Sequence, residues 1–392
     1  LAEKKVLFLS HSFFSFKAEV FSHYINTLAQ ELAKKEWGIK IILPHSKGLS
    51  AEESIERVKI SRFRYFFERW ENLAYAGDMA ERVKKSLFYK IVFFFFLAAL
   101  FFKTKKEVKK EIPALIHAHW WIPSGLVAYW HSFFSKIPYI VTLHGTDLIL
   151  LRQNSFLRRR AENVFTRAAK VTVVSNFLKT ELLSLFPTLE NKTAVIPMPI
   201  DPQVLQREPK ASRNDRFILY PARLIEQKNL SNLLDAFSQI APEFPSVKLI
   251  IVGNGPKETE LKAQVEKLRL AERVEFFPSM PPPKLGSLYQ AAEIVALVSI
   301  NEGFGLVLVE AFLFKKPVIA ARSGGITDIV TNGENGLLAD PDNPGEIAAA
   351  FRKLLADAFL RKQLGENGYQ TYIQKFSPGK LAAEFDQLYS EV

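Results

Sequence analysis

The sequence reads as an α/β protein built from two doubly wound halves of similar size, each a mostly parallel sheet with helices on both faces. Three observations predict this. Short aliphatic or β-branched runs alternate with helix-length stretches along the whole chain, the pattern of parallel strands joined by helical crossovers. The runs are continuously apolar rather than alternating, as expected when both faces of a sheet are covered. Near the middle, MPIDPQVLQREPKASRND (198–215) is rich in Pro and charge and poor in periodicity, and so reads as a linker. A chain of 392 residues is also long for a single core.

In the first half, strands are expected at KVLFLS (5–10), IKIILP (39–44), ALIHAH (114–119), PYIVTLHG (138–145), VTVVS (171–175) and TAVIP (193–197). Helical patterns fall between them at 18–35, 124–134 and 155–169. In the second half, RFILYPA (216–222), KLIIVG (248–253), RVEFFP (273–278), IVALVS (294–299) and KPVIAA (316–321) read as strands, with a helix at 230–240 after the first. Ser377-Pro378 looks like an N-cap and a first-turn proline, opening a last helix at 378–390. The expected division is therefore 1–205, 206–376 and a closing segment 377–392 that packs back on the first half.

The chain has no cysteine, which excludes disulfides, thiolate metal sites and cysteine nucleophiles and fits a reducing compartment. The opening LAEKKVLFLS lacks the apolar core and cleavage site of a secretory signal. Residues 1–205 hold 30 Lys/Arg against 18 Asp/Glu, whereas the remainder holds 22 against 23. Residues 57–110 alone hold 14 against 5. The positive charge is thus local, and with no nucleic-acid motif beside it no nucleic acid is expected as partner.

That basic segment contains twelve residues without a polar side chain, Ile91 to Phe102, flanked by Lys90 and Lys103. A membrane-crossing helix needs about 20 apolar residues, so this run is not expected to span. It precedes the strand at 114–119, so part of it must pack as a helix of the first half. Upstream, Arg62-Phe63-Arg64-Tyr65-Phe66-Phe67 and Arg69-Trp70 mix aromatics with cations, a composition suited to an anionic lipid surface. The expectation is a protein of the cytoplasm, peripheral on the inner face of the cytoplasmic membrane, with 57–110 against lipid.

In open α/β sheets, ligands sit beyond the carboxyl ends of the strands, and two facing halves would place the site in a central cleft. The informative residues do follow strands. After IVALVS comes Asn301-Glu302-Gly303-Phe304-Gly305-Leu306-Val307, with Glu310 three residues further on. The glycines let a ligand approach the backbone, and the helix start suits a phosphate. Glu302 and Glu310 are separated by roughly 12 Å along a helix, so an extended ligand with hydroxyls at each end and anionic groups between could meet both. After RFILYPA, Arg223 and Lys228 could clamp a diphosphate. Ser323-Gly324-Gly325 forms another glycine turn, and Gly253-Asn254-Gly255 a weaker one.

Together these stretches resemble glycosyltransferase family four. PARLIEQKNL, KLIIVGNGP, EGFGLVLVEA, KPVIAARSGGI and NGLLADP stand in the family's order and spacing. So do IHAHWWIPSG, VTLHGTDL, VTVVSNFLKTEL and VIPMPID in the first half. The resemblance implies the GT-B fold, with an acceptor-binding domain followed by a nucleotide-sugar-binding domain. It also implies retaining transfer from a nucleoside diphosphate sugar to an acceptor, here a lipid-linked or cell-envelope glycan. No cofactor or metal is implied. Arg223 and Lys228 would neutralise the leaving diphosphate, Glu302 would hold donor-sugar hydroxyls and Glu310 the ribose. The backbone of Gly303, Phe304, Gly305, Leu306 and Val307 would meet sugar and phosphate, with Gly253 on the same side. His144 would lie beside the reacting carbon. The chain departs from the family where Asn229 replaces the usual Gly and Thr327-Asp328 the usual Pro-Glu. It also departs in the first strand–helix loop, SHSFFSFKAEVF, which has no glycine. His11, Lys17 and Glu19 are candidates there.

All seven histidines lie in the first half. His119 and His144 sit at strand ends facing the expected cleft, and His117 shares a face with His119. A metal there lacks a third ligand. With no clear protein nucleophile, His144 and Asp147 are expected to position groups, and a front-face reaction fits. A sugar-nucleotide epimerase or a sugar phosphorylase on the same fold is the alternative, and a non-catalytic sugar binder a more distant one.

Overall fold

The computed structural model describes residues 4–12, 23–75, 79–213 and 215–392. The chain divides into two compact units, Leu1–Pro199 with Pro378–Val392, and Ile200–Ser377. Lys17 and Glu19 lie outside the described residues.

The first unit is built on an eight-stranded sheet. Its strands are β1 (Lys5–Leu9), β2 (Gly38–Pro44), β3 (Glu52–Ile55), β4 (Val58–Phe63), β5 (Leu115–His119), β6 (Tyr139–Leu143), β7 (Lys170–Val173) and β8 (Thr193–Val195). They run in the order β3-β4-β2-β1-β5-β6-β7-β8. Every pairing is parallel except β3 with β4. The central strands are apolar and covered on both faces: every residue of β5 and β6 is buried. The strand order reverses between β1 and β5, the kind of position beyond which open α/β sheets bind ligands.

The β3–β4 hairpin is not anticipated by the sequence reading, and it corrects part of the expected lipid-facing surface. Arg62, Phe63 and Tyr65 are buried. Arg62 is turned inward, donating to the Ser50 carbonyl at 2.8 Å and to Glu53 at 2.7 Å. The alternation in VKISRF is a strand signal that the surrounding cations obscure.

The apolar run forms one helix, Leu87–Glu111. By length and composition it could cross a membrane, and only 22% of its most apolar window is buried. The fold instead lays it against the sheet. Val92, Phe96, Leu100, Thr104 and Val108 form a buried stripe with Glu107, spaced four apart along one face. At its C-terminal end Glu107 meets Lys40 at 2.6 Å and Lys103 at 3.1 Å, while Glu111 takes Lys5 at 3.0 Å and Lys40 at 3.2 Å. Lys103, which flanks the apolar run, therefore belongs to this network.

The closing helix, Pro378–Ser390, buries Leu381, Phe385, Leu388 and Tyr389 in the first unit. It is tied there by Trp37, whose indole donates to Asp386 at 2.8 Å. The Ser377 hydroxyl donates backward to the Ile373 carbonyl at 2.9 Å and does not cap this helix.

The second unit carries a six-stranded, wholly parallel sheet. Its strands are β9 (Arg216–Pro221), β10 (Val247–Val252), β11 (Val274–Phe277), β12 (Ile294–Leu297), β13 (Val318–Ala321) and β14 (Leu337–Ala339), in the order β11-β10-β9-β12-β13-β14. The order reverses between β9 and β12, whose register pairs Ile294 with Ile218 and Val295 with Leu219. The expected linker at 198–215 is not free chain. Asp201 caps a short helix, Pro202–Leu205, and Leu205 is buried against helix Pro282–Ala291, where Gly286 leaves room for its carbonyl.

The Glu107 network yields a stability prediction. Removing one partner of a buried pair leaves an uncompensated charge and costs about 3–5 kcal/mol, whereas replacing both by apolar groups is often neutral. Glu107→Ala should therefore lower the urea midpoint of the first unit strongly. The double variant Lys40→Met/Glu107→Leu should recover most of the loss. Equal loss in both would show that the network does not hold the helix.

Candidate functional site

In the second unit, the loops leaving β9 and β12 are the two that diverge at the reversal of strand order, and the candidate residues sit on them. The β9 loop places Arg223 in solvent, followed by a turn that ends at Lys228. The β12 loop places Glu302 opposite, and the Lys228 ammonium pairs with the Glu302 carboxylate. Both side chains are largely shielded, at 16% and 18% exposed, so this pair is screened less than a surface pair.

Backbone contacts fix the pair. The Tyr220 hydroxyl donates to the Lys228 carbonyl, the Ile300 amide to the Gln227 carbonyl at 2.8 Å, and the Gln227 side chain to the Asn301 carbonyl at 3.0 Å. The glycine turn after β13 closes the third side. Gly325 N–H donates to the Glu302 carbonyl at 2.7 Å. A Cβ on Gly324, whose φ is +61°, would lie 2.5 Å from that oxygen, so no other residue fits without displacing Glu302. Asn301 is itself left-handed at φ 50° and its amide is held by the Ser323 hydroxyl at 3.0 Å.

Asn229, the departure from the family's glycine, has a physical explanation. It adopts φ 53°, ψ 36°, the left-handed region that Gly and, among other residues, Asn tolerate best. Its side-chain amide then donates to the Pro341 carbonyl at 2.6 Å, a tether that glycine lacks.

Gly253 has a different place from the one expected. With φ +153°, a Cβ there would meet the Ala222 carbonyl at 1.9 Å. Its role is to let the β10 loop press against the backbone just before Arg223, so it shapes the cation's loop. Gly303 and Phe304 lead to Gly305, which is left-handed at φ 111° and starts helix Leu306–Leu313. Phe304 is buried and meets Phe376 edge-on at 5.7 Å. The N–H groups of Leu306 and Val307, at the start of that helix, have no carbonyl one turn back and can face an anion.

Glu310 stands on the same helix, recessed and half-buried. The Tyr289 hydroxyl donates to it at 2.6 Å, and the Tyr289 ring stacks on Phe314 at 5.7 Å. Burial raises the Glu310 carboxyl from its ordinary 4.5 to about 7, with the tyrosine hydrogen bond pulling the other way. Tyr289 was not anticipated, because nothing in the local sequence marks it as a partner of a residue 21 positions on.

In the first unit, histidines collect at the carboxyl ends of β5 and β6. His144 is half-buried after β6 and its Nε2 lies 3.2 Å from His119 Nδ1. His119, expected at a strand end facing a cleft, does end β5 but is fully buried there, against Phe8 and His117. Its place is beneath His144. Burial, and then the neighbouring imidazoles, hold both rings well below the ordinary histidine value, so His144 works as a neutral hydrogen-bonding group. With Nε2 turned to His119, Nδ1 is the nitrogen left for a ligand. His117 is a core residue, bonded to the Tyr389 hydroxyl and to Thr142 Oγ1, each at 2.6 Å.

Asp147 is 3% exposed. Its carboxylate accepts the His144 amide at 2.7 Å and the Trp121 amide at 3.3 Å. Its oxygens are engaged by backbone amides, so it fixes the His144 backbone to the β5 loop. Burial raises it to about 7 against those hydrogen bonds. Trp120 was also missed. Its ring lies 4.5 Å from that of His11 and 4.3 Å from that of His144, on a backbone at φ 65°. Non-glycine residues in this region store strain and cluster at functional sites.

Two Rossmann-like sheets in one chain, each with candidate residues beyond its strand ends, have the architecture of the GT-B fold. Comparison with known proteins carries this to a family. "Glycosyl transferases group 1" matches residues 203–371 and "Glycosyltransferase Family 4" matches residues 22–204. An uncharacterized glycosyltransferase of Methanocaldococcus jannaschii is 31% identical over 288 residues, 74% of this chain and 78% of that protein. D-inositol 3-phosphate glycosyltransferase of Corynebacterium jeikeium is 30% identical, over 71% of this chain and 72% of that protein. Among solved structures, sucrose-phosphate synthase from Thermosynechococcus elongatus superposes with a TM-score of 0.81 at 22% identity, covering 99% of this chain and 98% of that one. HepE of Anabaena in complex with UDP gives 0.74 at 22% identity, covering 99% and 100%. The chain belongs to glycosyltransferase family 4 and is a glycosyltransferase.

The turn at Asn229 gives a sharp test. Asn229→Gly keeps the left-handed conformation and loses only the tether, whereas Asn229→Ala loses both. Alanine should be the worse by about 1–2 kcal/mol, the left-handed penalty for a residue with a Cβ. Denaturant unfolding of the second unit reads the difference. Equal losses would remove the conformational account.

Proposed function

We propose that the chain transfers a sugar from a nucleoside diphosphate sugar to a hydroxyl of a lipid-linked or cell-envelope glycan, with retention at the anomeric carbon. The observation that carries this reading is the convergence at the β9–β12 reversal of a shielded Lys228–Glu302 pair, an exposed Arg223 and a helix start followed by Glu310. The arrangement matches one extended ligand. A diphosphate would sit between Arg223, Lys228 and the amides at Gly305 to Val307. Glu302 would accept hydroxyls of the sugar, and Glu310 those of the ribose. The UDP seen with HepE of Anabaena supports such a donor.

In the proposed reaction the bond between the anomeric carbon and the phosphate oxygen breaks, and its electron pair stays on the phosphate. The acceptor oxygen attacks the same face of the sugar, and its proton passes to the departing phosphate oxygen. Charge builds on that phosphate, and Arg223, Lys228 and the helix start stabilise it. The step is balanced without a protein nucleophile. His144, neutral and held by His119 and Asp147, is the first unit's candidate hydrogen-bonding group. The outward side of the 57–110 segment rests on the inner face of the cytoplasmic membrane. It carries Phe67, Phe88, Phe94 and Phe95 in solvent together with Lys90, Lys105 and Lys106.

Thermal stabilisation by UDP, GDP and ADP tests the donor reading. One of them should raise the melting temperature, and Arg223→Ala or Glu310→Ala should weaken its binding at least tenfold; no response to any of the three would contradict it. The pH dependence has a defined sign. Because Glu310 keeps its proton to about 7 when folded, against 4.5 ordinarily, the unliganded protein loses this stabilisation as pH rises through that window. The carboxylate is the form that accepts two hydroxyls, so nucleotide affinity should rise with pH up to about 7, and Glu310→Gln should flatten the profile.

A further inference from the structure

The outward face of helix Leu87–Glu111 is not uniform. Between it and the segment that follows helix Leu126–His131 runs a groove of about 450 Å³, within the roughly 300–1,000 Å³ of ordinary small-molecule sites. Phe94, Ala98 and Phe102 form one wall, and Trp130, Phe133 and Phe134 the other. All the side chains lining it are apolar or aromatic. Phe94 is 67% exposed and Phe134 72%, so its rim is an apolar surface facing water, the kind that marks an interaction site.

The charges around it are sorted by sign. Both acids in the C-terminal half of the helix, Glu107 and Glu111, are turned to the sheet and paired. The lysines on the other side, Lys105, Lys106, Lys109 and Lys110, are exposed. Arg167 lies over the Phe133 ring at 4.3 Å, and Lys136 is exposed just beyond Phe134. An apolar groove with a cationic rim complements a hydrocarbon chain bearing an anionic headgroup. It does not complement a second copy of itself, which would bring like charges together.

We propose that this groove is a binding site for one hydrocarbon chain of an anionic phospholipid, drawn from the bilayer on which the first unit rests. The proposal rests on the lipid-facing reading given above and adds a discrete site to it. The helix lies in the plane of the surface because its buried stripe and the Glu107 network hold it to the sheet. The groove takes the chain, and the lysines and Arg167 meet the phosphate.

The test uses the full chain and a short-chain lysophosphatidylglycerol below its micelle concentration. Ala98→Trp fills the groove while leaving the surface apolar and cationic. Wild type should bind the lysolipid at one site, and Ala98→Trp should weaken it at least tenfold. Flotation on phosphatidylglycerol vesicles should stay within twofold, and the melting temperature should not change. A second measurement is independent of that variant's folding. Phosphatidylglycerol with brominated chains should quench tryptophan fluorescence in a Trp70→Phe background, and adding Trp130→Phe should remove most of that quenching. Lysolipid binding unaffected by Ala98→Trp, or quenching unaffected by Trp130→Phe, would overturn the site. So would a concentration-dependent dimer abolished by Ala98→Trp, which would assign the groove to self-association. Nucleotide stabilisation measured on the same samples separates the readings: lysolipid binding without any nucleotide response would leave the groove standing and the donor reading failed.

Discussion

The Lys228–Glu302 ion pair is the constraint around which the second unit is arranged. A parallel sheet whose strand order reverses sends two neighbouring loops apart, and nothing in the sheet itself then fixes their separation. Here opposite charges do. The surrounding devices all serve that pair: the left-handed Asn229 tethered to Pro341, the Ser323 hydroxyl holding Asn301, and Gly324 pressed against the Glu302 backbone. In the proposed reaction this pair is also the resting occupant of the site. A diphosphate approaching Lys228 repels Glu302 and releases it toward the sugar hydroxyls.

The first unit follows the same economy of charge. Glu107 and Glu111 pair with Lys40, Lys5 and Lys103, and Asp147 is held by backbone amides. His117, His119 and His144 are stacked, and burial holds them below the ordinary histidine value. The outward face of helix Leu87–Glu111 is cationic and apolar. Pinning one side of helix Leu87–Glu111 to the sheet leaves the other free, so a sequence that looks like a membrane span becomes an element lying on its domain.

The strands expected in both halves and the closing helix were legible because buried parallel strands and a first-turn proline are local patterns. The candidate residues of the second unit stood out because they follow strands and carry charge or glycine. Other features were hidden by distance in sequence. His119 reads as a ligand-facing strand end until Phe8 and His117 are seen to cover it, and His117 itself is bonded to Tyr389, 272 positions away. Tyr289 becomes visible only through Glu310. The β4 strand was masked by its own cations, because Arg62 looks solvated until Glu53 and Ser50 close on it. Gly253 was read for ligand contact, but the oxygen it accommodates belongs to Ala222.

The most direct measurement is a calorimetric titration of the stabilising nucleoside diphosphate, and of its sugar conjugate, into wild type, Lys228→Ala and Glu302→Gln. If Glu302 is the resting partner of a phosphate-binding lysine, Lys228→Ala weakens the nucleoside diphosphate at least tenfold. Glu302→Gln binds it at least as tightly as wild type, yet loses the preference for the sugar conjugate. If Glu302→Gln weakens the nucleoside diphosphate as much as Lys228→Ala does, the pair is a structural strut and not the donor site.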